Sequence, residues 1–97
     1  MYASLWKFAG EPGNLLGRYE AMLADIPAES MRLHLCLRAE DGIVLVDTCP
    51  SEDVFRAFAS GPFAELRARH GLPEPERVEG FPAAAAFVDG RRIVPEG

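Results

Sequence analysis

Residues 31–49, MRLHLCLRAEDGIVLVDTC, constrain the fold more than any other stretch. Apolar side chains recur at every second position in Leu33, Leu35 and Leu37 and again in Val44 and Val46, the alternation of a half-buried strand. Asp41-Gly42 between the two runs is a hairpin turn signal, because a type I′ turn needs positive φ at both central residues. With Asp41 and Gly42 as a two-residue loop, Glu40 faces Ile43. One face of the hairpin then carries Leu33, Leu35, Leu37, Val44, Val46 and Thr48, and the other carries Arg32, His34, Cys36, Arg38, Ile43, Leu45, Asp47 and Cys49. A three-residue loop with a glycine bulge is the competing register, and it would set His34 beside Val44 and Val46.

The flanking segments supply support. Residues 2–8 form a first strand with Ala3 and Leu5 on one face and Ser4, Trp6 and Phe8 on the other. Gly10, Pro12 and Gly13 end it. Asn14 is then placed to cap a helix whose stripe is Leu15, Leu16, Tyr19, Met22, Leu23 and Ile26, until Pro27 stops it. Tyr19 and Met22 are read here as core. After the hairpin, Ser51 caps a second helix with Glu52 and Asp53 in its first turn, where the macrodipole favours negative charge. Gly61-Pro62 breaks that helix, and a further one starts at Pro62 and ends at His70-Gly71. His70 in the last turn complements the dipole. Residues 75–81 read as loop or a short edge strand. Residues 83–88 read as the last main strand, although Ala83 to Ala86 could open a helix, and Asp89-Gly90 turns the chain into a short terminal strand over 91–94.

The order strand, helix, hairpin, helix, strand is βαββαβ. It specifies a single α+β domain over residues 1–97 with a four-stranded antiparallel sheet and two helices on one face, the ferredoxin-like arrangement. If the aliphatic hairpin face meets the helices, the face with Trp6, Phe8, His34, Cys36, Leu45 and Asp47 is left uncovered. That surface is too apolar for water, and a second copy of the chain is the expected cover.

Charge limits the partners. With Lys+Arg 10 against Asp+Glu 15, the net charge is -5, and the nine Arg and one Lys are scattered, which argues against nucleic acid or an anionic membrane surface. No stretch approaches the roughly 18 apolar residues of a membrane span, and the start MYASLWKFAG is too short in apolar run and too poor in basic residues for a signal peptide. A cytoplasmic location is the resulting expectation. Cys36 and Cys49 have no CxxC neighbour, so neither a zinc site nor a disulfide framework is expected, and no cofactor is called for.

The segments YASLWKF, LLGRYEAML, LHLCLRAEDGIVLVDT and AAAAFVDG, in this order, resemble the dimeric α+β barrel superfamily that includes antibiotic-biosynthesis monooxygenase-like proteins and stress-responsive barrel proteins. The resemblance implies two sheets packed face to face around a two-fold axis, with a small aromatic or hydrophobic ligand inside. In some members O2 oxidises that ligand without metal or flavin. It would place Trp6, His34 and Asp47 in the cavity. The chain has no match to the Asn, Trp and His set of the haem-degrading members, so haem oxygenation does not carry over.

His34 is the acid/base candidate because imidazole titrates near neutral pH, and Asp47 on the same face would orient the ring. Trp6, Phe8, Cys36 and Leu45 would contact a planar ligand, and Arg32 could bind a carboxylate or phenolate on it. Three functions follow from such a site. One is a cofactor-independent monooxygenase, cyclase or isomerase, another a binding protein without chemistry, and the third a structural dimer whose barrel is filled by its own side chains. On this reading Leu35→Ala would cost about 2 to 5 kcal/mol and His34→Ala little.

Overall fold

The computed structural model describes residues 1–95. Its elements are β1 (Tyr2–Ala9), α1 (Pro12–Leu23), a 3-10 turn (Ala28–Ser30), β2 (His34–Ala39), β3 (Gly42–Cys49), α2 (Glu52–Ser60), α3 (Pro62–His70), β4 (Arg77–Pro82), β5 (Ala86–Val88) and β6 (Arg91–Val94). Four strands form an antiparallel sheet in the order β2-β3-β1-β4, compatible with a ferredoxin-like fold. β5 and β6 form a separate two-stranded hairpin.

The central hairpin forms with its turn one residue earlier than the sequence suggests. Ala39 pairs with Gly42, so Glu40 and Asp41 make the loop. Gly42 serves a different purpose from a turn glycine. It pairs with Ala9 of β1, and a Cβ there would collide with the Phe8 carbonyl, so only glycine lets β3 approach β1 at this point. The Asp41 carbonyl accepts from Gly10 N at 3.0 Å, and its carboxylate pairs with Lys7 at 3.2 Å, fixing the loop to β1. Because each pair shifts by two positions in sum, the two sets of face-sharing residues are unchanged, and His34 now lies directly opposite Asp47.

Which face meets the helices is the main correction. Trp6, Phe8, Ile43 and Leu45 pack with Leu15, Tyr19, Met22, Phe63 and Leu72 in one core under α1, α2 and α3. Leu5, Leu35 and Leu37 lie on the opposite face with 43%, 49% and 46% of their surface exposed. The face with His34, Cys36, Leu45 and Asp47 is therefore covered, and the aliphatic stripe is open. The cause is the position of the strands. Leu35 and Leu37 belong to β2 at the sheet edge and Leu33 directly precedes it, whereas β1 and β3 are central and carry three aromatics, Tyr2, Trp6 and Phe8, with Ile43 and Leu45 on one face. The larger apolar area at the centre of the sheet decides which side excludes water.

Local signals at helix ends mostly hold. Ser51 Oγ accepts from Val54 N at 3.2 Å, and Glu52 and Asp53 occupy the first turn of α2. Pro62 opens α3, and Gly71 ends it at φ 72, a conformation glycine adopts without a Cβ penalty. The α1 cap differs from expectation. Pro12 fits the first helical turn, so the cap falls on Glu11, whose carboxylate accepts from Gly13 N at 2.9 Å and Asn14 N at 2.6 Å. Those two backbone bonds hold the Glu11 carboxyl below its ordinary pKa. Asn14 instead accepts from Arg18 Nε at 2.8 Å.

The C-terminal third also differs. The last strand of the main sheet is Arg77–Pro82, not the alanine run, and it pairs with β1 along the sheet edge. An edge strand tolerates Pro82, and Gly80 leaves room for the Tyr2 ring, which a Cβ there would strike. Ala83 to Ala85 are irregular, so neither strand nor helix continues through them. The turn at Asp89-Gly90 forms as expected, with positive φ of 52 and 75.

Candidate functional site

Tyr19, His34 and Asp47 meet on the covered face. Asp47 and His34 are cross-strand partners on β3 and β2. Tyr19 comes down from α1, where Leu15, Tyr19 and Met22 form the buried stripe. His34 Nδ1 lies 3.1 Å from Asp47 Oδ1, and His34 Nε2 lies 2.7 Å from the Tyr19 hydroxyl, with the two rings within 6° of parallel. With a neutral imidazole, Nδ1–H donates to the Asp47 carboxylate and Nε2 accepts from Tyr19. Burial first, and then the negative charge of neighbouring acidic groups, pushes the Tyr19 hydroxyl up to about 12, so it keeps its proton in neutral solution.

The trio lies in the wall of a cavity of about 420 Å³ between the sheet and the helices. Ile26, Pro27 and Met31 line it, as do Val54, Phe55 and Phe58 of α2. The volume is in the lower part of the roughly 300–1,000 Å³ range of small-molecule sites. Trp6 is anchored there by a 2.9 Å bond from Nε1 to Ser4 Oγ and by edge-on contact with Phe63, the ring centroids 4.7 Å apart. Lys and Arg line no part of this cavity.

Of the residues expected at a site, Trp6, His34, Leu45 and Asp47 line the cavity together. Phe8 is fully buried behind them in the core. Cys36 packs against that core, and burial pushes its thiol up, away from the thiolate a nucleophile requires. Arg32 lines a different and more open hollow of about 470 Å³ with Val88, Asp89, Arg91 and Ile93. Tyr19 is the residue that sequence reasoning assigned to packing alone. Its place in the helical stripe is correct, and its hydroxyl reaches the first residue of β2, His34. Among the described residues, no three His, Cys, Asp or Glu side chains gather as metal ligands, and no helix is long and apolar enough to cross a membrane.

Chemically, the chain of contacts can carry a proton. In such a relay Nε2 would accept the Tyr19 proton as the tyrosine oxygen received one from a bound donor, and Asp47 would stabilise the resulting imidazolium. No family model matches the sequence, and no curated protein matches it.

Proposed function

We propose that the chain binds a small hydrophobic or aromatic molecule in the cavity under its helices and exchanges a proton with it through Tyr19 and His34. The observation that carries this reading is the juxtaposition of one hydrogen-bonded Tyr–His–Asp chain with a cavity wall that is otherwise largely apolar. A proton-transfer reaction of the isomerase or cyclase kind fits that wall most directly, and a cofactor-independent monooxygenation would begin with the same deprotonation. His34 is the acid/base group, Asp47 orients it, and Trp6 and Leu45 contact the ligand. A second reading, binding without chemistry, draws support from the fact that both His34 nitrogens already have protein partners.

The protein is further proposed to be a homodimeric α+β barrel of the superfamily it resembles, closed over the open sheet face. Leu5, Leu35 and Leu37 on that face form an apolar surface of the kind a second copy covers. The dimer would therefore close over the side opposite to His34.

The chain has one Trp, so its indole N–H gives a single NMR resonance inside the cavity. Titration of small aromatic molecules should shift that resonance and those of Tyr19 and His34 while leaving Leu5 and Leu35 unmoved. A panel in which nothing perturbs Trp6 refutes the binding reading. Turnover lost in His34→Ala with binding retained would assign chemistry, and unchanged turnover would leave binding alone. Sedimentation equilibrium tests the dimer: a monomer at hundreds of micromolar, or a dimer untouched by Leu37→Asp, defeats it.

A further inference from the structure

The cavity's hydrogen-bonding groups are unevenly disposed. Six of its lining residues carry side-chain donors, namely Trp6, Tyr19, Ser30, His34, Thr48 and Cys49. Each is already engaged within the protein. Trp6 Nε1 donates to Ser4, Ser30 Oγ to the Pro27 carbonyl at 2.7 Å, and Thr48 Oγ1 to the Leu33 carbonyl at 2.9 Å. With the imidazole neutral, Tyr19 donates to His34 and His34 to Asp47. The Cys49 thiol has carbonyl acceptors, Tyr2 at 3.8 Å and Ser51 at 3.7 Å. What remains on the side chains that share the covered face is acceptor capacity: lone pairs on the Tyr19 and Ser30 oxygens and on the Asp47 carboxylate.

Charge points the same way. Asp25 and Asp47 both line the cavity, and no Lys or Arg does. Asp25 is already held by His70 Nε2 at 2.7 Å and Arg69 at 3.4 Å, which leaves Asp47 as the acidic group beside the Tyr–His contact. An anionic ligand would lose its hydration in an apolar space and meet a carboxylate without a compensating cation. A ligand with acceptors only would leave its oxygen unpaired against other acceptors.

Resting on the ligand-binding reading above, we infer that the cavity selects a neutral ligand that donates a hydrogen bond, a phenol or alcohol on a compact apolar frame, and rejects acceptor-only and anionic analogues of the same shape. The ligand O–H takes the place that a protein donor would hold in a cavity of opposite polarity. This donor is also the proton that Tyr19 and His34 are arranged to receive, so recognition and proton transfer use one bond.

Three probes of matched shape test it: 2-naphthol, 2-methoxynaphthalene and 2-naphthoate, each titrated at neutral pH against the full chain with the Trp6 indole resonance as the readout. 2-Naphthol should bind about three- to tenfold more tightly than its methyl ether, the factor that one hydrogen bond supplies. 2-Naphthoate should be at least about tenfold weaker than the naphthol, as expected for a buried charge without a partner. Asp47→Asn removes the charge and adds an amide donor, and should bring the naphthoate and the ether to within about threefold of the naphthol. An ether or naphthoate that equals the naphthol in the wild-type chain overturns this inference while leaving the cavity as a binding site. Absence of binding by all three probes overturns the binding reading and this inference with it. If Asp47→Asn does not fold, the wild-type ranking alone decides.

Discussion

The two faces of the sheet are both apolar, yet they differ in what they can exclude. The covered face concentrates Trp6, Phe8, Ile43 and Leu45 on the central strands β1 and β3, and three helices close over them. The open face carries Leu5, Leu35 and Leu37, each more than two fifths exposed. Two apolar faces therefore have different fates because the covered one carries its larger bulk at the centre of the sheet. The comparison also explains why polar groups sit on the covered side. His34 opens β2 and Asp47 lies near the end of β3, and there the helix layer leaves a cavity instead of close packing.

The largest expected effect would test that asymmetry directly. Phe8→Ala should cost about 3 to 5 kcal/mol, because the ring is wholly buried among Phe63, Ile43 and their neighbours and the void would not collapse. Leu35→Ala should cost less than about 1 kcal/mol in dilute protein, since its side chain is half exposed. Chemical denaturation of the two variants measures the difference. Equal losses would mean that both faces are sealed under the conditions used, which is the outcome a tight dimer over the open face would produce.

A smaller effect is expected from Gly42→Ala. The added methyl would strike the Phe8 carbonyl, so β3 and β1 must separate locally at a cost of about 1 to 3 kcal/mol. An unchanged midpoint would show that the close approach of the central strands is not needed for the covered face to form.

These positions show how far the sequence could be read. Alternation in residues 33–37 and 43–47 correctly separates the side chains into two sets, since strand periodicity depends only on the backbone. It carries no information on which set is covered, because that depends on strand order, and β2 is an edge strand. The same limit hides Tyr19: a helical stripe identifies it as buried, but its hydrogen bond to His34 exists only because α1 packs on the sheet against β3, beside the start of β2. The β4 segment RVEGFP lacks clean alternation and contains Gly and Pro, and its pairing comes from β1 beside it, with Gly80 accommodating the Tyr2 ring. In contrast, Ser51, Gly61-Pro62, Gly71 and Asp89-Gly90 act through their own backbone preferences and were legible at once.

A third effect concerns the polar chain within the covered face. The chain contains two tyrosines, and Tyr19 should ionise near pH 12 because burial opposes the phenolate. Its folded pKa is raised above the ordinary 10.0, so its contribution to stability is whole below pH 10 and is lost as the pH rises from 10 toward 12. Absorbance titration of the phenolate should show a late step that Tyr19→Phe removes. The same variant should cost about 1 kcal/mol near neutral pH through the lost bond to His34. A wild-type titration without that late step would place Tyr19 in water and end the distinction between the two faces at this point.

The smallest expected effect lies in the helix layer itself. Asp25, just beyond α1, pairs with His70 Nε2 at 2.7 Å and Arg69 at 3.4 Å on the last turn of α3, and it also borders the cavity. The His70 hydrogen bond first, with Arg69 assisting, holds the Asp25 carboxyl below its ordinary value of 3.8. A depressed folded pKa means that the stability from this pairing is present above pH 3.8 and disappears as the pH falls through the lower folded value. Asp25 is exposed and solvent screens the pair, so only a small shift in melting temperature is expected at pH 6 between the wild-type chain and Asp25→Asn. That gap should narrow toward zero as the pH drops below 3.8. Because the pair joins the ends of α1 and α3 at the edge of the cavity, its loss should loosen the cover over the Trp6 side while leaving the open face as it was. Hydrogen exchange can read that directly: at low pH, amides of β3 beneath the helices should gain exchange relative to those of β2. A melting-temperature gap that stays constant from pH 6 to pH 3 would show that the Asp25 carboxylate does not hold the helix layer shut.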